Sequence, residues 1–316
     1  EQGSIKLDLH RRDFTINTLA LRLDGSHYGK LYDYWGGVMD LREKRVRVLH
    51  SLSFVDDPTR MLRAVRFEQR FKFEIESRTL ELLSQALSLI SRTSGDSIRH
   101  EMDHILDEEA WLPMLARLDA LGLLGAIHPE LKWNAEIERR LQSLDSSRLR
   151  FKEGLLSDEV GEISKRKLAY VIWLIDLPDG LLKDVLRRLR VPAQLAKQIV
   201  AASQLWVDLP RMRTMSPSQV VSRLEGIAPL SIYANCLATN DMKASSVMQT
   251  YLTQWRVVKP NLSGYDLQKR GIRPGPAYKH ILGTIKNAWL DGNISSVEDE
   301  MILFEQLLAG ENKPRE

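Results

Sequence analysis

Residues 54–73 read FVDDPTRMLRAVRFEQRFKF, two aspartates and a proline running into helical spacing. Met61, Leu62, Val65 and Phe67 supply the apolar positions, while Arg60, Arg63, Arg66 and Arg70 recur at intervals of three, three and four. That interval sets the guanidinium groups along one side of a helix. Pro58 falls in the first turn, where its missing N–H costs nothing, and Asp56 and Asp57 suit the positive helix N-terminus. By spacing alone the stretch fits two readings, a solvated arginine face on an amphipathic helix or a surface that grips anions.

Upstream, residues 11–22 read RRDFTINTLALR, and Asp13 and Asn17 lie four apart on one predicted helix face. The pair Arg11 and Arg12 is placed to meet phosphate at the start of that helix, although Asp13 as a plain N-cap behind two surface arginines fits equally well. From Leu21 to Tyr34 the pattern predicts a hairpin turning at Asp24-Gly25. Gly36-Gly37 breaks the chain, VMDLREKRVRVL follows as a short amphipathic segment entering a strand, and Asp40 is expected to brace the turn. No further β-like text is expected beyond this point.

Downstream the pattern is helical throughout. Leucines recur at three and four over residues 78–90, and Ser94-Gly95-Asp96 marks a helix start. His100 and His104 in that helix have the spacing of a helical zinc pair, but no third ligand accompanies them, and an ion-paired face is the expectation. Residues 131–164 are polar and irregular, a boundary between lobes. Short connections at 178–180 and 191–192 then predict packed antiparallel helices. Near the C-terminus, Gly271, Pro274, Gly275 and Pro276 open a helix flanked by Lys269, Arg270, Arg273 and Lys279. This is either a tight turn between helices or a phosphate cradle built of free N–H groups, a dipole and cations.

A chain of 316 residues calls for two or three domains or lobes, and its net charge of only +3 confines any nucleic-acid affinity to local patches. The lone Cys236, set among Leu and Ala, reads as core in a reducing cytoplasm. No apolar run approaches the roughly 20 residues needed to span a bilayer, so no membrane partner is expected.

Four of these segments, in order and spacing, resemble the class II tRNA nucleotidyltransferases: the CCA-adding and A-adding enzymes and the bacterial poly(A) polymerases. RRDFTINTLA is similar to the family's ribose-recognition motif and YDYWGGVMDL to its flexible hinge. DDPTRMLRAVRF resembles the base-selecting motif, and GDSIRHEMDHIL the helix that braces it. The resemblance implies a mainly α fold, in which a remnant of a small α/β palm (1–52) precedes an elongated all-helical neck (53–130) and a body and tail (131–316). It implies that Arg12 and Asp13 meet ribose and phosphate, that Asp57 and Arg60 read the base, and that Arg63 and Arg66 bind the nucleotide further along. Asp56 stands where the family often has Glu. The partners implied are ATP, with CTP in the CCA-adding members, and the acceptor arm of tRNA, with Lys269, Arg270, Arg273 and Lys279 as candidate RNA contacts. The cofactor implied is Mg²⁺, held by an Asp-x-Asp strand. No Asp-x-Asp occurs here; the nearest string, Glu298-Asp299-Glu300, lies in a polar C-terminal helix. The catalytic carboxylates are therefore expected upstream of Glu1, with this chain alone inactive. A non-catalytic helical RNA-binding module is the contrasting reading. Poly(A) polymerase is a further one, set against a C-terminus, ENKPRE, without an extended basic tail.

Hydrogen-bond inventories show how Asp57 and Arg60 would act as a template. A carboxylate only accepts and a guanidinium only donates. Adenine and cytosine offer an amino donor beside a ring-nitrogen acceptor, whereas guanine and uracil offer the reverse. A rigid Asp/Arg pair therefore admits the first two bases and mismatches both contacts of the others.

Overall fold

The computed structural model describes residues 5–144 and 164–311. The expected lobe boundary at 131–164 lies partly outside the described residues, as does most of ENKPRE. Two compact units are defined, one comprising residues up to 144 together with 164–197, the other 198–311. The helices Ala135–Gln142, Lys165–Leu174 and Asp179–Arg188 thus belong to the first unit. Side chains hold them there: Tyr170 Oη donates to Asp103 at 2.9 Å, Trp173 Nε1 to the Lys132 carbonyl at 3.1 Å, and Arg190 to Asp96 at 2.7 Å. Among the described residues, the second unit begins after Lys197.

The fold is mainly α with a small β remnant, as the motifs imply. Strands β1 (Ala20–Leu21) and β2 (Leu31–Tyr32) pair antiparallel, Ala20 opposite Tyr32. Their connection carries a 3₁₀ turn, Gly25–His27, with Gly25 and Gly29 at positive φ, so the hairpin is present but its turn is longer than a two-residue loop. Strand β3 (Arg45–Val46) pairs parallel with β4 (Glu74–Ile75). This corrects the expectation that β structure ends before residue 56. Lys72 leaves the preceding helix in the left-handed region, φ 55°, and Glu74–Ile75 then form the strand with Ile75 buried. The alternation of Phe71, Phe73 and Ile75 carried that signal, overlapping the arginine helix.

Gly37 opens the helix Gly37–Arg42 with its backbone against the Thr15 carbonyl; a Cβ there would lie 2.4 Å from that oxygen. Asp33 caps the same helix through the Gly37 and Val38 N–H groups at 2.8 and 3.0 Å. Asp40 braces the turn as expected. Buried, it accepts from the Thr15 hydroxyl and from Arg47 Nε at 2.9 Å. Gly37→Ala is expected to destabilise the chain by about 1–3 kcal/mol, because backbone and not a flexible side chain must move. A lower urea midpoint with unchanged slope would report it.

The arginine helix, Arg60–Phe71, buries Met61, Leu62, Ala64 and Val65 and packs against the facing helix, Gly95–Asp107, and the helix Trp111–Ala120. Ser94 caps the facing helix by accepting from Ser97 N at 3.1 Å. In the second unit, Leu267, Ile281, Ile285 and Phe304 form a core among the helices Gly264–Lys269, Pro276–Leu290 and Val297–Glu311. Cys236 is buried in the helix Pro229–Ala238, and burial pushes its thiol well above the usual range. No helix among the described residues is long and apolar enough to cross a membrane.

Candidate nucleotide site

An open cleft of about 440 Å³ lies in the first unit, lined by Arg11, Arg12, Asp13, Asp57, Arg60 and Arg63, together with Asn17, Thr59 and Glu101. The chain brings residues 50 positions apart to one place because an isolated bridge, Phe14 to Val48, ties the RRD loop beside the β3 segment on which the arginine helix packs.

Asp57 and Arg60 are both held by the backbone around them. Asp57 Oδ1 accepts from Thr59 N at 2.9 Å and from the Thr59 hydroxyl at 2.6 Å, while its second oxygen has no partner among the described residues. Arg60 donates to the Arg11 carbonyl at 3.0 Å and to the Ser53 carbonyl at 3.5 Å, which leaves N–H groups to spare. A fixed acceptor and a fixed donor thus sit three residues apart on one cleft wall.

The rest of the arginine side is an ion-paired seam between two helices. Arg63 donates to Asp13 Oδ2 from Nε and Nη2 at 2.8 and 2.5 Å, and to Glu101 Oε1 at 3.2 Å. Arg66 is buried and lies 3.6 Å from Glu101 Oε2. Arg70 meets Glu108 at 3.2 Å. Burial pulls the Arg63 pKa down, but Asp13 and Glu101 outweigh it and the net shift is upward. Arg66, with Glu101 as its counter-charge at longer range, is lowered by burial. Arg66 Nε and Glu101 Oε2 have no hydrogen-bond partner among the described residues, so charge more than geometry closes this part of the seam.

Two expectations change as a result. Arg66 is absent from the cleft lining and is buried, because packing against the helix that carries Glu101 covers this part of the arginine stripe. Asp13, expected to test ribose hydroxyls, already accepts Arg63 on one oxygen and Asn17 Nδ2, at 2.8 Å, and Phe14 N, at 2.9 Å, on the other. Arg12, by contrast, is exposed and pairs with exposed Asp8 at 3.2 Å, as Arg11 does at 3.0 Å; such pairs are worth little and yield readily to a ligand. Glu101, on the helix expected to carry an ion-paired face, pairs with Arg63 and Arg66. Its signal was its seven-residue spacing from Glu108, which matches two turns of the arginine helix.

The C-terminal cations lie in the second unit. Lys269 sits 4.4 Å over the Tyr265 ring, Arg270 pairs with Glu305 at 2.7 Å, and Arg273 and Lys279 are exposed around the start of the helix Pro276–Leu290. His100 and His104 meet Nε2 to Nε2 at 3.1 Å. Among the described residues no group of three or more His, Cys, Asp or Glu is placed to hold a metal ion. In the Glu298-Asp299-Glu300 string, Asp299 accepts from Ser295 N and Ser296 N, and buried Glu300 accepts from Asn261, Leu262 and Trp289. Asp13 and Glu101 are engaged by arginines, so the residues present do not fit the Mg²⁺ site that the motifs imply.

The cleft of arginines and carboxylates is built by a β-containing head and the helical array that follows it. Residues 1–47 match the poly(A) polymerase head domain, and residues 72–134 the probable RNA- and SrmB-binding site of polymerase A. The chain is 32% identical over 95% of its length to an A-adding tRNA nucleotidyltransferase of Geobacter sulfurreducens, and spans 35% of that longer protein. The structure of the Thermotoga maritima CCA-adding enzyme complexed with tRNA(CCA) is similar, with TM-score 0.78 and 31% identity over 98% of this chain and 75% of that one. A complex of a CCA-adding enzyme with ATP also matches, with TM-score 0.78 and 31% identity, covering 99% of this chain and 73% of the other. The chain belongs to the tRNA nucleotidyltransferase family.

Proposed function

We propose that the cleft of the first unit selects ATP, or ATP and CTP, for transfer of AMP, alone or after CMP, to the 3′-hydroxyl of a tRNA in the cytoplasm. The observation that carries this is the pairing of Asp57, pinned by Thr59 on one oxygen and open on the other, with Arg60, pinned to two carbonyls. An adenine or cytosine edge satisfies both groups, while guanine or uracil opposes donor to donor and acceptor to acceptor. Arg11 and Arg12, exposed and weakly paired, meet the phosphates. Arg63 and Arg66 act behind them by fixing the cleft wall. On this reading the described residues supply nucleotide selection and no group that would hold a metal, and the chain by itself binds nucleotide without transferring it. No step through a metal is assigned to the residues present.

The second unit holds tRNA by backbone and shape, as suits a duplex whose deep groove cannot be read. Arg273 and Lys279 are its phosphate contacts. Replacing both by alanine is expected to lower the slope of log affinity against log salt by about two, with base preference unchanged; a fluorescence titration at several salt concentrations measures it.

Similarity to both A-adding and CCA-adding relatives frames the decisive assay. The full-length protein is incubated with tRNAs ending before CCA, after C and after CC, with ATP and CTP supplied separately. AMP incorporation after CC supports the proposal, and CMP incorporation fixes the wider specificity. Binding of tRNA with no incorporation of either nucleotide would instead identify a helical RNA-binding module.

A further inference from the structure

A row of aromatic rings crosses the surface of the head and ends at the cleft. Tyr32, at the end of β2, and Tyr34, in the bend that follows, lie 6.1 Å apart at 20°. Tyr34 meets Trp35 edge-on at 5.6 Å, Trp35 meets His10 at 5.7 Å, and His10 stacks on His50 at 5.4 Å and 9°. None of the five is buried, and Tyr34 is 44% exposed. Cations accompany the rings: Lys30 Nζ lies 5.4 Å over Tyr32 and Lys6 Nζ 5.7 Å over Tyr34. At the other end His10 immediately precedes Arg11 and Arg12 of the cleft lining, and His50 Nε2 lies 3.7 Å from Asp56, the neighbour of Asp57.

Solvent-accessible rings flanked at one end by ammonium groups suit single-stranded nucleic acid: a base has a face to stack, and a phosphate finds a cation. A protein partner with an apolar face would gain nothing from the lysines, and duplex RNA has no free base face to offer. We infer that this row is the stacking platform for the unpaired 3′ end of the RNA acceptor, guiding its terminal hydroxyl along the head to the nucleotide in the cleft. The inference rests on the function proposed above, which requires an RNA 3′ end to arrive there. It assigns Tyr34 and Trp35 to RNA contact and not to nucleotide selection.

The test titrates full-length protein into two labelled RNA hairpins, one with an unpaired 3′ tail and one blunt, and measures ATP binding on the same samples. The tail is expected to strengthen binding by the wild type roughly ten-fold. Trp35→Ala and Tyr34→Ala lose that gain while keeping blunt-hairpin and ATP affinity; Trp35→Phe, which retains a ring, keeps it. Equal affinity of wild type and both alanine variants for the tailed hairpin overturns the inference. So does a fall in thermal stability of Trp35→Ala with tail affinity unchanged, which would set the rings against other protein segments. Failure of the cleft reading appears separately, as absent ATP binding in the wild type.

Discussion

Asp57→Asn is expected to abolish the preference for A and C over G and U, and to do so in a folded protein. Asparagine keeps the capping geometry, since its carbonyl can still accept from Thr59 N and the Thr59 hydroxyl, the bonds that Asp57 Oδ1 now takes at 2.9 and 2.6 Å. Its amide nitrogen then replaces the open carboxylate oxygen, presenting a donor where an acceptor stood. Each mispaired buried polar group costs about 1–3 kcal/mol, so two mismatches reject a wrong base by roughly a hundred-fold or more, and reversing one contact removes most of that margin. Arg60→Ala removes the other contact together with its ties to the Arg11 and Ser53 carbonyls, and is expected to cost about ten-fold in ATP affinity as well as selectivity. Nucleotide competition assays on both variants, with urea unfolding as a control, separate selection from folding. Selectivity equal to wild type in both would refute the template.

Glu101→Ala should give the largest loss of stability in the neck. Glu101 is buried and neutralises Arg63 at 3.2 Å and buried Arg66 at 3.6 Å. Removing it leaves Arg66 in the helix interface without its nearest counter-charge. Breaking a buried ion pair from one side costs about 3–5 kcal/mol, a large fraction of a domain's stability. The comparison is internal to the same seam. Glu108, seven residues on, pairs with Arg70, whose side chain is 52% exposed, and its alanine variant is expected to cost no more than about 1 kcal/mol. Equilibrium urea unfolding of the two variants measures the difference; equal losses would show that burial does not set the worth of these pairs. Because Glu101 also fixes Arg63 against Asp13, its loss should loosen the cleft wall and raise the Kd for ATP.

Much of this arrangement is legible in the residues. The arginine interval, the capping Ser94, the Gly36-Gly37 break and the hairpin strands are local features with local causes, and each appears where its pattern predicts. Asp13 and Asn17 share a hydrogen bond, as their four-residue spacing suggests, although the turn between them is 3₁₀. What the spacing does not reveal is the partner of each charge. Arg63 and Arg66 look alike in sequence, yet Arg63 lines the cleft and Arg66 lies behind it, because only packing decides which side of the stripe meets the facing helix. The partners of Glu101 escape for the same reason, as they depend on a contact 38 residues away in the chain. Strand β4 was hidden by overlap, since the alternation of Phe71, Phe73 and Ile75 begins inside the arginine helix.

The central claim, that protein side chains template the base, is tested most directly by calorimetric titration of this chain with ATP, CTP, GTP and UTP in turn. The account predicts saturable binding of ATP, with or without CTP, at least ten-fold tighter than that of GTP and UTP, a gap that closes in Asp57→Asn. Equal affinity for all four nucleotides in the unmodified chain would contradict it.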